Sequence, residues 1–267
     1  MRFRLAKIMA LTAGFAAGLA ASARSGAWIA EQGHGEVIVT TLFDQANVGF
    51  NQAGHFTPTP LYRTLQLGAY VEVGVADGLA ALIKPALQSS TLGAPENQRY
   101  TGLGDSEIGV QARLWRDDSS VLALQANVRV PAPAGATQTW LAGSKAVDFD
   151  LRLLLGKNVA VGPFPGFVDV SGGLRFCGGA APDETHADFT FGLYATPTLM
   201  LLAQSFNIMS APSQNPGYPQ WAQSKAQFSL VASLNADWRV QVGGFTTVAG
   251  QNAYRETGAL LAVWRRF

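Results

Sequence analysis

Residues 254–267 read YRETGALLAVWRRF, and this stretch sets the reading of everything before it. Ala259, Leu261, Val263 and Phe267 share one parity, and side chains of one parity in an extended strand face the same way. A strand that is apolar on one face and stops on an aromatic is how a membrane-embedded β-barrel closes. Phe267 would then be the assembly signal, the handle by which barrel-assembly machinery takes the C-terminal strand. Arg265 departs from the pattern, because such barrels usually carry an apolar or aromatic residue there.

Upstream, runs of about ten residues alternate in polarity and end in turn signals, the signature of transmembrane strands. The strands are expected at 36–44, 61–75, 79–88, 104–115, 120–130, 145–156, 166–177, 185–195, 199–207, 222–234, 238–248 and in the closing stretch. In residues 145–156, Val147, Phe149, Leu151, Leu153 and Leu155 oppose Asp148, Asp150 and Arg152. Asp77-Gly78 is a short hairpin signal, since these residues tolerate positive φ. Pro85 falls inside an expected strand and cannot donate to a ladder, so it marks a bulge.

The links alternate. Those after even-numbered strands are short, and most of those after odd-numbered strands are longer and rich in Pro, Gly, Asn and Gln. That is the pattern of periplasmic turns and extracellular loops. The fold class is therefore all-β, an antiparallel transmembrane β-barrel of about 12 strands in the cell outer membrane, with both termini periplasmic. Closure is forced, because hydrocarbon offers no partner to an open sheet edge. Trp115, Trp238 and Trp264 are expected as interface aromatics near the short-turn rim, with Tyr62, Tyr100 and Tyr254 near the loop rim.

The first residues, MRFRLAKIMALTAGFAAGLAASA, join a basic start (Arg2, Arg4, Lys7) to an apolar stretch too short to span a membrane comfortably. Small-x-small sites end at Ala23 and Ala27. Residues 1–27 read as a secretory signal peptide and 28–267 as the barrel. The chain has 19 basic and 18 acidic residues. Cleavage after Ala27 removes four bases and no acid, which leaves a net charge of −3 and no surplus for nucleic acid. Charged residues make up 14% of the chain, against roughly a quarter in soluble domains. Cys177 is the only cysteine, expected as a small buried hydrophobe.

Residues 100–115, YTGLGDSEIGVQARLW, carry Gly102, Leu103, Gly104, Asp105, Glu107, Gly109, Arg113 and Leu114 in an order that resembles a strand-opening motif of the outer-membrane proteins associated with meta-pathway phenol degradation. Ala27-Trp28 followed by residues 33–39 also resembles the mature start of those proteins. The resemblance implies a barrel of a transporter group and suggests an aromatic solute.

The face assigned to the lumen carries Glu72, Lys84, Glu107, Arg113, Arg129, Asp148, Asp150, Arg152, Asp169, Arg175, Asp188 and Arg239. These groups can line a solute path, or they can cross-link the interior of a small barrel. Their signs are balanced, so no ion preference follows. A lipid-acting enzyme would need a nucleophile beside its base. His186 is the one histidine placed for it, with Asp169, Asp188 and Ser171 as its expected neighbours; a polar rim position is the alternative. No metal-ligand spacing and no phosphate-cradling loop appears, and no cofactor is expected. The expected partners are outer-membrane lipid, the assembly machinery and a small-molecule solute. A non-conducting structural or loop-binding barrel remains the second reading.

Overall fold

The computed structural model describes residues 26–131, 141, 146–213 and 217–267. Most of the expected signal peptide and most of the loop at 131–144 lie outside the described residues.

The chain folds as one closed antiparallel sheet. β1 (Gly35–Phe50) pairs with β2 (Phe56–Ala76) on one side and with β15 (Thr257–Arg266) on the other, which shuts the ring. Val39 stands opposite both Ala69 and Val263. Between these seams run β3 (Leu79–Lys84), β4 (Ala86–Leu92), β5 (Gln98–Leu103), β6 (Ser106–Arg116) and β7 (Ser120–Val130). Next come β8 (Asp148–Val161), β9 (Phe164–Phe176), β10 (Glu184–Thr196), β11 (Leu199–Ser210) and β12 (Ala222–Ser233), then β13 (Trp238–Gln251) and the two-residue β14 (Ala253–Tyr254). β3 and β4 form one stave broken at Pro85, and β5 and β6 form another, broken between Leu103 and Ser106. The barrel thus has 12 staves. Pro85 acts as its chemistry requires. It donates nothing, but its carbonyl still accepts the Ala69 N–H at 3.0 Å.

Tight turns gather at one rim. Gly78 takes φ 68° in the turn between β2 and β3, a conformation that glycine enters without steric cost. The opposite rim carries the longer links. There the strands run on past their expected ends. Residues 45–60 were expected as loop, yet β1 and β2 stay paired up to Phe50 and Phe56. Residues 89–102 likewise form the β4–β5 hairpin, turning at 93–97. Beyond the lipid both faces of a strand can be polar, so the two-residue alternation fades while the backbone ladder continues.

The parity of the outer face is as the sequence requires. Phe149, Leu151, Leu153 and Leu155 are exposed, while Asp148 and Asp150 are buried within. Leu261 and Val263 face out. Trp115 and Trp238 also face out at the short-turn rim. Three expected interface aromatics do not. Trp264 shares parity with inward Leu260 and Ala262, and its indole N–H donates to Gln241 at 3.2 Å. Tyr62 and Tyr254 stack on each other inside the barrel, ring centroids 5.2 Å apart. Nearness to a rim does not decide orientation; parity does. Tyr100 is half-buried against the cluster that contains this tyrosine pair.

Candidate functional site

The lumen has two unlike walls. On β3 and β6–β10 the inward positions carry many of the interior charges, and the charges interlock. Arg175 reaches Glu107 at 2.9 Å, Asp150 at 3.2 Å and Glu184 at 3.6 Å. Arg152 grips Asp150 at 2.7 Å and Asp188 at 2.8 Å. Lys84 meets Glu107 at 3.0 Å. Arg129 pairs with Asp148 and lies 3.4 Å from Asp105. Planar guanidinium forks suit such shared carboxylates, because each fork fixes two acceptors at once.

The other half of the ring is mixed: it turns in most of the large buried apolar groups, set among neutral polar ones such as Thr40, Gln204, Gln223, Gln227 and Gln241. β1 turns Ile38 and Leu42 inward, and β11 turns Met200, Leu202, Phe206 and Ile208 inward. Phe245 of β13 and Leu260, Ala262 and Trp264 of β15 complete the apolar set. Charged groups interrupt this side in two places: Glu36 of β1 pairs with Arg266 of β15 at 2.9 Å, and a second cluster forms around Lys225. Lys225 of β12 pairs with Glu256, lies over the Phe245 ring at 5.6 Å, and has Asp44 of β1 nearby.

Residues 26–34 cross the short-turn mouth from one wall to the other. The Ala27 N–H donates to Asp169 at 2.7 Å, and Gln111 donates to the Gly26 carbonyl at 2.8 Å. Trp28 lies edge-on to Phe167, centroids 5.8 Å apart, and fills the space that glycine leaves at position 156. A Cβ at that position would come within 2.5 Å of the indole. The Ala30 N–H donates to Glu72 at 2.9 Å, and Gln32 bridges Gly74 in parallel. Beside the segment lies a cavity of about 580 Å³, bounded by Trp28, Glu72, Arg116, Phe167 and Tyr194.

The sequence-assigned residues divide accordingly. Lys84, Glu107, Arg129, Asp148, Asp150, Arg152, Arg175 and Asp188 join in the charged wall. Glu72 and Asp169 hold residues 26–34 instead. Arg113 is corrected. It leaves the lumen and meets Asp77 of the hairpin turn at 2.7 Å, at the short-turn rim. Arg239 sits near that rim in register with Trp264. Parity alone would also have found Glu184, which shares a face with Asp188; Asp44 and Lys225 lie on strands for which no inward residue was assigned.

His186 is buried near the loop-rim end of β10, and its neighbours differ from those expected. Arg152 can only donate, so His186 Nδ1 accepts from it at 3.1 Å, and Nε2–H donates to Glu184 at 3.0 Å. Both ring nitrogens are thus occupied, and Ser171 holds neither. Cys177 is half-buried at the loop rim, not fully buried. Desolvation, with Glu184 and Asp148 adding to it, pushes its thiol up to about 12, so it stays protonated.

No family model matches the chain. No curated protein matches it either. Solved structures do match. The COG4313 outer membrane channel from Pseudomonas putida F1 superposes with a TM-score of 0.70 at 13% identity, over 90% of this chain and 98% of that one. The NanC porin matches with a TM-score of 0.54 at 11% identity, over 85% of this chain and 98% of that one. The translocator domain of the autotransporter NalP from Neisseria meningitidis matches at 0.50 and 13% identity, over 87% of this chain and 88% of that one. At these identities the likeness is one of fold, and the fold is that of a closed outer-membrane β-barrel.

Proposed function

We propose that the chain is a passive outer-membrane channel for small solutes with an apolar, aromatic part and a polar part. The cavity at the short-turn mouth carries this reading: a solute with two characters can set its apolar body against Trp28, Phe167 and Tyr194 while its polar groups meet Glu72 and Arg116. The aromatic element agrees with the phenol-degradation resemblance of residues 100–115. In this reading the short-turn rim and both termini are periplasmic and the longer links are extracellular. The signal peptide then lies within residues 1–27, and the contacts of Gly26 and Ala27 with interior partners support cleavage after Ala23 over cleavage after Ala27.

The test is uptake of a small fluorescent aromatic acid into proteoliposomes, with conductance recorded in a planar bilayer. Transport predicts uptake above that of empty vesicles and a conductance step that changes in Asp150→Ala. Silent bilayers together with background uptake would overturn it. They would favour the second reading, a structural or loop-binding barrel, to which the seating of residues 26–34 across the mouth lends support.

A further inference from the structure

Charge is distributed very unevenly between the two faces of the sheet. Every carboxylate carried by a described strand points inward, Asp44, Glu107, Asp150 and Glu184 among them. The outer face of the loop half carries two cations, Arg63 on β2 and Arg99 on β5, both exposed. Neither forms an ion pair among the described residues.

The registers place them together. Arg63 stands opposite Thr91, and Thr91 opposite Arg99, so the two guanidinium-bearing residues share one cross-strand row about 10 Å apart. Gln45 and Thr257 extend that row across the next two staves. Five neighbouring strands thus present hydrogen-bonding side chains along one cross-strand row, which the strand tilt inclines to the membrane plane. On the rest of the ring, apolar residues run up to the loop edge: Val130, Phe149, Phe176 and Met209 are all exposed there.

The level of Arg63 is that of a lipid headgroup. Along β2 the outward residues from Val75 to Leu65 rise about 25 Å at the usual tilt and rise per residue, which matches the hydrophobic band of such barrels. Arg63 is the next outward position. Its apolar stem can lie on the band while the guanidinium reaches above it, and the fork of an arginine matches a phosphate with two parallel N–H donors.

We propose that Arg63 and Arg99 form a docking surface for the phosphorylated sugar headgroup of an outer-leaflet lipopolysaccharide. The assignment rests on the extracellular orientation of the loop rim given above.

The test uses the full barrel, folded in detergent and checked by its heat-dependent gel mobility, with bisphosphorylated lipid A as the probe. Binding is read by native mass spectrometry. The double variant Arg63→Ala/Arg99→Ala should bind lipid A at least tenfold more weakly. Should that variant fold poorly, Arg63→Gln alone should still weaken binding several-fold, while Lys157→Gln at the opposite rim leaves it unchanged. Undiminished binding by a folded variant would overturn the site. So would equal binding of dephosphorylated lipid A, or equal competition by phosphatidylglycerol, which would mark a general anionic surface. Orientation is read separately, from labelling of Asn97→Cys in a Cys177→Ala background with a membrane-impermeant maleimide on intact cells. Labelling only after permeabilisation would overturn the orientation, and the occupant with it, whatever lipid A does in detergent.

Discussion

Arg175 of β9 and Leu202 of β11 are both buried in one lumen, two staves apart around the ring, and they are held by different physics. Three carboxylates from three strands converge on Arg175. Leu202 has no polar partner and is held by packing with Ile38, Met200, Val231 and Trp264. The charged wall is directional. Each guanidinium fixes the spacing of the strands around it, and losing one partner strands a charge away from water. The apolar wall is non-directional. It is stabilised by burial, and another apolar surface can take the place of its neighbours. A barrel built from both can keep one half fixed in geometry while the other half tolerates repacking.

The largest expected effect comes from the charged side. Arg175→Leu leaves Glu107, Asp150 and Glu184 short of a cation and should cost about 3–5 kcal/mol. The measurement is the urea midpoint of folding into lipid vesicles. A loss below about 1 kcal/mol would erase the distinction, because that is the range of an exposed pair. Leu202→Ala on the apolar side should cost about 2–4 kcal/mol through lost burial and a residual cavity. Leu202→Met sharpens the comparison. Non-directional packing should accept it for less than about 1.5 kcal/mol, as a near-conservation of volume. The smallest effect is at the rim. Arg113→Ala breaks a pair whose Asp77 side chain is 93% exposed, and should change stability by about 0–1 kcal/mol. A loss there as large as that of Arg175→Leu would mean that the rim pair, and not the lumen network, orders the barrel.

Much of this was legible in the chain. Alternation in residues 145–156 and 254–267 assigned faces correctly, because a two-residue period leaves only two choices. Parity also held for Trp264, where reasoning from rim position failed. Strand ends were less legible. Residues 45–60 and 89–102 lose the strict two-residue alternation and still pair over most of their length, since water permits a ladder but does not require one. The candidate site was half visible. Arg152, Asp150 and Arg175 were identified as inward, but which carboxylate each would meet depends on stagger between strands. The apolar wall was overlooked because inward Leu202 and Phe206 look no different in sequence from outward Leu201 and Phe228.

The sequence by itself determined that the strands would close into a cylinder. Its apolar residues recur every second position over a dozen runs, and hydrocarbon tolerates no unpaired edge. Only the tertiary structure decided that the inward charges gather on one half of the ring, and that residues 26–34 lie across the mouth. Both depend on how the staves are staggered and how the ring closes, and parity along a single strand carries no information about its neighbours around the ring.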